Sequence, residues 1–138
     1  MAQRALKATC LCKGVQFTLS GQDKGAVLCH CSNCKSFTGS SFAHNYRFMK
    51  AKVEYQKGED LVKSYKDDNT KSGKVLERFF CGRCGSSLMN KPQAIPGLIV
   101  ACTGAIQSGE DPLHPKFELF EEDRRPWLGS IVKGAAKL

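Results

Sequence analysis

The sequence has no long apolar run and only one tryptophan among its 138 residues. No stretch approaches the length of a membrane-spanning helix, so no membrane partner is expected. The first ten residues, MAQRALKATC, carry charges but no apolar segment, which argues against a secretory signal. A cytoplasmic location, or a nuclear one, is therefore expected.

Several catalytic signatures are also missing. The sequence shows no Ser-His-Asp order, no phosphate-binding glycine loop and no HExxH helix. It has no internal linker, low-complexity tract or repeat, and helical periodicity is weak throughout. Its length suits one domain, so a single domain over residues 1–138 is expected.

Apolar residues recur mostly with a period of two, which predicts a mainly β fold. A polar segment with one glycine, residues 67–73, separates two apolar segments, Leu61 to Tyr65 and Val75 to Phe80, and this pattern predicts a hairpin. The other predicted strands lie at residues 15–19, 26–28, 42–48, 53–55, 98–101 and 117–120.

The sequence is rich in cysteine. Seven of its eight cysteines fall into three groups: Cys10-Leu11-Cys12, Cys29-His30-Cys31-Ser32-Asn33-Cys34 and Cys81-Gly82-Arg83-Cys84. An even number of cysteines keeps disulfides open as an alternative. Without an export signal, the reducing compartments are expected, where dense cysteines more often bind metal.

Two of the groups are close pairs, Cys10 with Cys12 and Cys81 with Cys84. Zinc takes four ligands in a tetrahedron, so two such pairs can form a closed site that fastens the start of the chain to its later half. A glycine follows each pair, at Gly14 and Gly85. Its freedom lets the chain turn back and direct backbone N–H groups at the sulfurs.

The third group, Cys29, Cys31 and Cys34, offers three thiolates and leaves one zinc position for a water, a histidine or an incoming thiol. Two alternatives stay open. Cys-x-x-Cys can be a redox pair, although a thioredoxin-like motif needs a βαβ setting. The site can also be closed by a fourth ligand, for which the candidates are His30, His44 and Cys102.

The net charge is +8, with the lysines scattered along the chain. This pattern fits a solvated basic surface, and it also fits an anionic small ligand or a nucleic acid. The chain lacks a long basic arm or an interleaved aromatic and basic stripe, which argues against nucleic acid.

The order Cys-x-Cys, Cys-His-Cys-x-x-Cys and Phe-Cys-x-x-Cys-Gly-Ser resembles the glutathione-dependent formaldehyde-activating enzyme family, which includes the centromere-protein-V-like proteins. The resemblance runs from about Lys7 to Gly104, with a looser tail over residues 105–138. Within that tail, Arg125-Pro126-Trp127-Leu128 looks like the family's closing segment. Further matching positions are Lys35, Gly39, Phe42, Lys57-Gly58 and the segment from Phe80 to Leu88.

The resemblance implies a fold, a set of ligands and a reaction. The implied fold is a mainly β, Mss4-like β-tent of several small antiparallel sheets stapled by zinc. The resemblance assigns Cys10, Cys12, Cys81 and Cys84 to a structural zinc, and Cys29, Cys31 and Cys34 to an active-site zinc. The implied reaction adds the thiol of the co-substrate glutathione to formaldehyde, giving S-hydroxymethylglutathione, and the family is classed among carbon–sulfur lyases.

The chemistry is consistent with these residues. A thiol coordinated to zinc loses its proton near neutral pH, and its thiolate can attack a small aldehyde. The alternative function is a zinc-stapled basic binding module that contacts nucleic acid or an acidic protein without catalysis. These classes differ in one respect, because only the enzyme needs an open position for an external thiol.

Overall fold

The computed structural model describes residues 2–107 and 113–132. They form eight β-strands and one α-helix, together with three short 3-10 turns. The elements are β1 (Gln3–Thr9), β2 (Gln16–Cys29), α1 (Ser32–Thr38), β3 (Ala43–Lys57), β4 (Val62–Asp67), β5 (Leu76–Cys81), β6 (Ser87–Pro92), β7 (Ile99–Cys102) and β8 (Pro115–Leu119).

The strands form one hydrogen-bonded path in the order β1-β2-β3-β7-β6-β5-β4, and β8 pairs with β2 off this path. All neighbours along the path are antiparallel, whereas β8 runs parallel to β2. The predicted mainly β, antiparallel class is therefore confirmed. The predicted hairpin is present as well, because β4 pairs with β5 from Val62 opposite Cys81 to Asp67 opposite Leu76.

The two long strands β2 and β3 join segments that the sequence pattern separates. Their pairing has register shifts between Ser20 and Gln22 and between Asp23 and Gly25. Such bulges bend a strand while its ladder continues. The alternation of apolar and polar residues breaks at a bulge, so the sequence predicted each long strand as two short ones. Because the long strands continue through the bulges, the expected small sheets connect into one path.

Helix α1 and strands β1 and β6 were not predicted. The helix has only seven residues, and its first turn is capped by a side chain, because the Cys31 sulfur accepts from the Cys34 backbone N–H. A helix this short cannot show an amphipathic repeat, which is why the sequence pattern missed it. It begins three residues after the end of β2 and thereby places its own Cys34 and its cap Cys31 next to the end of that strand.

The core lies against β2, β3 and β6, where the largest buried side chains are Phe17, Leu19, Phe48, Leu88 and Met89. A smaller apolar cluster surrounds the second cysteine group and includes Ala43 and Phe120. Among the described residues, no helix is long and apolar enough to cross a bilayer.

Candidate metal centres and the adjoining pocket

Four cysteines from distant parts of the chain meet in one cluster, called here the four-cysteine cluster: Cys10, Cys12, Cys81 and Cys84. The first pair lies in the turn between β1 and β2, and the second lies where β5 ends and turns towards β6. Sequence analysis predicted this combination, and the structure brings the two pairs together across about half of the chain.

The sulfur geometry of this cluster fits a tetrahedral metal. All four Sγ atoms lie within 4.8 Å of one another, with Cys10 and Cys12 at 3.5 Å and Cys12 and Cys81 at 3.9 Å. Zinc–sulfur bonds of about 2.3 Å in a tetrahedron place neighbouring sulfurs about 3.8 Å apart. The four-cysteine cluster can therefore hold zinc without rearrangement of the backbone.

The turn after Cys81 directs backbone donors at its sulfur, as predicted. The N–H groups of Arg83 and Cys84 donate to Cys81 Sγ at 3.4 and 3.5 Å. Gly85 closes this turn with φ at 79°, in the left-handed region that glycine adopts most easily, and its N–H donates to the Cys81 carbonyl. These bonds orient the sulfur before any metal binds.

The turn after Cys12 differs from the expectation. Lys13, not Gly14, takes the left-handed conformation, with φ at 62°. Gly14 instead lies in close contact with other side chains, since a Cβ there would displace the Arg83 guanidinium and the end of the Leu61 side chain. The Arg83 Nε donates to Cys12 Sγ at 3.3 Å. The lack of a side chain at Gly14 therefore leaves room for the Arg83 cation beside the Cys12 sulfur.

Ser86 also acts on the four-cysteine cluster. Its hydroxyl lies 3.2 Å from Cys84 Sγ and accepts from the Leu11 N–H at 2.9 Å. Hydrogen bonds from Ser86, first from its side chain and then from its backbone, lower the pKa of Cys84 to about 5. A thiol that ionises this readily is suited to be a metal ligand.

The second cluster, called here the three-cysteine cluster, consists of Cys29, Cys31 and Cys34. Cys29 ends β2, Cys31 caps α1, and Cys34 lies in the first turn of α1. Their sulfurs lie within 4.8 Å of one another, with Cys29 and Cys31 at 3.5 Å. All three are buried, in contrast to the half-buried Cys12 and Cys84 of the other cluster.

The three thiols share protons in a crowded space. Hydrogen bonds from Cys29 and then Cys34 lower the pKa of Cys31 well below its ordinary value, while the bond to Cys31 raises the pKa of Cys29. The cluster thus favours an ionised sulfur even before a metal replaces the remaining protons. A redox pair is not favoured by the surroundings, because α1 connects antiparallel strands and not a βαβ unit.

The three residues considered as a fourth ligand lie outside the cluster. Within residues 2–107 and 113–132, no fourth cysteine, histidine or carboxylate joins the three sulfurs. His30 Nε2 donates to Glu118 Oε1 at 2.8 Å, and His44 Nε2 lies 2.8 Å from the Leu113 carbonyl. Burial raises the pKa of Cys102 to about 12, as befits the buried apolar thiol expected at the end of β7.

Glu118 ties the later part of the chain to the three-cysteine cluster. Its side chain is fully buried and contacts His30, the residue between Cys29 and Cys31. Its other oxygen accepts from the Ser130 hydroxyl and from the Ile131 and Val132 N–H groups, at 3.0 to 3.2 Å. Burial alone raises the pKa of Glu118, but these donors outweigh it and bring the pKa to about 2.

A buried ion pair borders the cluster on its other side. Arg78, on β5, donates from Nε to Asp67 Oδ2 at 2.8 Å, and its Nη1 lies 3.9 Å from Cys34 Sγ. Asn33, the residue before Cys34, donates to both Asp67 oxygens. Burial raises the pKa of Asp67, but Asn33 and Arg78 outweigh it, so the carboxyl stays below its usual value.

A pocket of about 440 Å³ opens above this ion pair. Its lining combines polar groups from the ion pair with aromatic walls: Asn33, Ser36, Phe37, Tyr65, Asp67, Asn69, Arg78 and Phe80. On the other side of Ser36 lies a second, polar cavity of about 570 Å³ that includes Lys35 and Arg125. Helix α1, which carries Cys34, is thus flanked by two cavities that differ in chemistry, and the cysteines of the cluster lie behind their linings.

Sequence reasoning missed Arg78, Asp67 and Glu118. One signal was visible for Arg78, since a cation stands within the apolar segment from Val75 to Phe80. Glu118 gave no signal, because its partner His30 lies 88 positions away. Arg125 lay in the recognised closing segment, but nothing in the sequence placed it beside Lys35.

The family model described as "Glutathione-dependent formaldehyde-activating enzyme" matches residues 5–123. No curated protein sequence matches the chain. A solved Rhodobacter sphaeroides protein from the Northeast Structural Genomics programme is similar with a TM-score of 0.52 and 21% identity. That match covers 78% of this chain and 92% of the other, and at this identity it bears on the fold alone.

Proposed function

The chain belongs to the glutathione-dependent formaldehyde-activating enzyme family, and from that premise we propose that it is a zinc-dependent carbon–sulfur lyase. The proposed reaction adds a thiol, with glutathione the favoured one, to a small aldehyde such as formaldehyde. The family assignment supports this reaction class, and the two cysteine clusters supply residues that suit zinc.

The proposal gives the two clusters different roles. Cys10, Cys12, Cys81 and Cys84 would hold a structural zinc, since four thiolates complete its coordination. Cys29, Cys31 and Cys34 would hold the active-site zinc, so each chain would contain two zinc ions. Elemental analysis of protein purified without chelator tests this count, and one zinc or none in the folded protein would contradict it.

One observation carries the catalytic role. Among the described residues the three-cysteine cluster has three ligands and no fourth, and each considered candidate lies outside it. A zinc ion with such a ligand set keeps one position for an external group. Zinc bound there would lower the pKa of a thiol at that position and supply a thiolate near neutral pH.

The residues around the cluster suit the two substrates. The polar cavity beside α1 offers Lys35 and Arg125, whose positive charges fit the carboxylates of glutathione. The other pocket has aromatic walls and reaches Arg78, next to Cys34. A thiol held between these cavities would bring its sulfur close to a small aldehyde.

A cobalt-substituted protein tests the thiol-binding step directly. Replacing zinc by cobalt makes the ligand set visible in the absorption spectrum, and bound glutathione should add a thiolate-to-cobalt band in a saturable manner. The matched variant is Cys31→Ser, which should weaken this binding strongly. A binding module without catalysis would show no new thiolate band.

The chemical step needs a separate measurement. The protein should accelerate formation of S-hydroxymethylglutathione beyond the rate of glutathione and formaldehyde alone, and NMR exchange spectroscopy can follow this near equilibrium. The uncatalysed rate is the necessary control. Saturable glutathione binding without acceleration would mean that the protein carries thiols or uses another aldehyde, and the formaldehyde proposal would be wrong.

A further inference from the structure

Arg78 holds an unused hydrogen-bond donor beside the three-cysteine cluster. The residue is only 3% exposed, and it packs against the Phe37 ring with its guanidinium carbon 5.3 Å from the ring centre. Its Nε donates to Asp67, and its Nη1 contacts Cys34 Sγ and Asn90 Oδ1. Its buried Nη2 has no hydrogen-bond partner in the structure. Buried donors are rarely left unpaired, so this group is able to receive an acceptor from a bound molecule.

The unused donor lies on the edge of the guanidinium that faces Asp67, and both Arg78 and Asp67 line the pocket. In arginine, Nη2 shares an edge with Nε, and here Nε points at Asp67, which lines the pocket. Asp67 does not use the second donor, because its oxygens already accept from Asn33, from Arg78 Nε and from the Asn69 N–H. One donor therefore remains for a molecule in the pocket.

We propose that Arg78 Nη2 receives the oxygen of a small carbonyl substrate in this pocket and stabilises that oxygen as it becomes an alkoxide. The inference rests on the proposed function and assigns the aldehyde's place within it. The thiolate sulfur forms the C–S bond, and the π pair of the carbonyl moves to the oxygen. That oxygen then takes a proton from solvent, matching the proton that the thiol released when it ionised.

The surroundings hold Arg78 in place for this task. The guanidinium keeps its charge throughout the accessible pH range, and its donors lie in one plane. Asp67, Asn90 and Phe37 restrain three sides of it, so the donor needs no reorganisation when negative charge develops on a substrate. Its contact with Cys34 places the same cation next to the proposed metal ligands.

Formate is a suitable probe, because it presents a one-carbon oxyanion of the size of the proposed substrate. Binding of formate to the zinc-loaded protein would be measured by calorimetry for wild type, Arg78→Met and Arg78→Lys. The matched control is Arg83→Met, which removes an arginine from the four-cysteine cluster and not from the pocket. Zinc content and thermal unfolding of each variant check that the fold is retained.

Loss of Arg78 should weaken formate binding about 10- to 100-fold, the usual effect of one charge-assisted hydrogen bond. It should lower kcat/KM for thiol addition about 100- to 1,000-fold, as for removal of an oxyanion donor, and leave glutathione binding nearly unchanged. Arg78→Lys keeps the charge and serves if Arg78→Met does not fold. It should also be impaired, since one ammonium cannot serve Asp67, Asn90 and a ligand together.

Three results decide the matter. Equal formate binding by wild type and both Arg78 variants would overturn the proposal. Formate binding that depends on Arg78, combined with unchanged turnover in Arg78→Met, would overturn its catalytic part. If wild type binds formate through Arg78 but accelerates no thiol addition, the proposed function fails while the oxygen-binding role of Arg78 stands.

Discussion

The two cysteine clusters use the same ligand atom in opposite ways. The four-cysteine cluster joins turns that lie 69 residues apart, between Cys12 and Cys81, and half of its thiols are partly exposed. The three-cysteine cluster is local, spans six positions from Cys29 to Cys34, and is buried beside two cavities. A cluster that links distant segments is suited to stability, whereas one that is locally built beside a pocket can change its ligands without unfolding the chain.

The electrostatic surroundings follow the same division. Arg83, beside the four-cysteine cluster, is exposed and contacts Cys12 from the solvent side. Arg78, beside the three-cysteine cluster, is buried and engaged by Asp67. The charge of an arginine in solvent is screened, whereas that of a buried arginine acts strongly on nearby charges. Arg78 should therefore affect its neighbouring thiolates more than Arg83 does.

Loss of a thiol from the four-cysteine cluster should have the largest effect. Cys81→Ser is expected to abolish cooperative folding, because structural zinc in small domains contributes roughly 10 kcal/mol or more, comparable to the whole stability of a domain. Circular dichroism and thermal unfolding measure this. The matched control is Cys102→Ser, a buried cysteine outside both clusters, which should remain folded and keep its metal.

Loss of a thiol from the three-cysteine cluster should have a smaller effect on the fold. Cys34→Ser is expected to leave a folded protein that loses one metal ion per chain and no longer binds glutathione. Elemental analysis together with thermal unfolding would show this. If Cys34→Ser unfolds the chain as readily as Cys81→Ser, the division between the two clusters is wrong.

Loss of the link between the tail and the three-cysteine cluster should reduce the free energy of unfolding less than loss of a thiol from the four-cysteine cluster. Glu118→Gln replaces a buried carboxylate that pairs with His30 and Arg124 and accepts from two backbone N–H groups, and it should cost about 2 kcal/mol. Urea unfolding measures the loss. Amide exchange at Ile131 and Val132 should quicken selectively. Glu54→Gln, at an exposed acid on β3, is the control.

The Glu118 effect should also depend on pH in a definite direction. Its pKa is about 2 in the folded chain against an ordinary value of 4.5, so the ionised group stabilises the fold above pH 4.5. That contribution disappears as the pH falls towards 2. The difference in unfolding free energy between wild type and Glu118→Gln should therefore begin to shrink as the pH falls below 4.5, and it is measured at pH values where metal analysis shows zinc still bound. A constant difference there would contradict the lowered pKa.

The smallest effect is expected at the surface. Lys71 pairs with Glu122 at 3.0 Å and Asp123 at 2.7 Å, and its side chain is 39% exposed. Exposed pairs are screened by salt and add little. Lys71→Ala should therefore shift the thermal midpoint slightly at low salt and not measurably at high salt, whereas a large shift would reveal a stronger link between the β4–β5 hairpin and the tail.

Much of this molecule was readable from local patterns. Alternation predicted the hairpin of β4 and β5, and the spacing of the cysteines predicted which four and which three would meet. Gly85 was predicted to turn the chain back at Cys81, and it does so. These predictions succeed because strand alternation, tight turns and metal-ligand spacing are properties of a few consecutive residues.

Other features depended on residues that are distant in sequence. In the turn after Cys12, Arg83 packs against Gly14, and the ladder between β2 and β3 continues through register shifts. Patterns of consecutive residues cannot predict such contacts between distant parts of the chain.

The sequence by itself thus determined the β class, the family and the two sets of thiols. Only the tertiary structure decided that Arg78 and Asp67 border Cys34 and that Glu118 reaches His30. The reason is physical. A sulfur and its neighbours in a turn are placed by local backbone geometry, whereas a buried charge needs a partner that only the pairing of distant strands can provide.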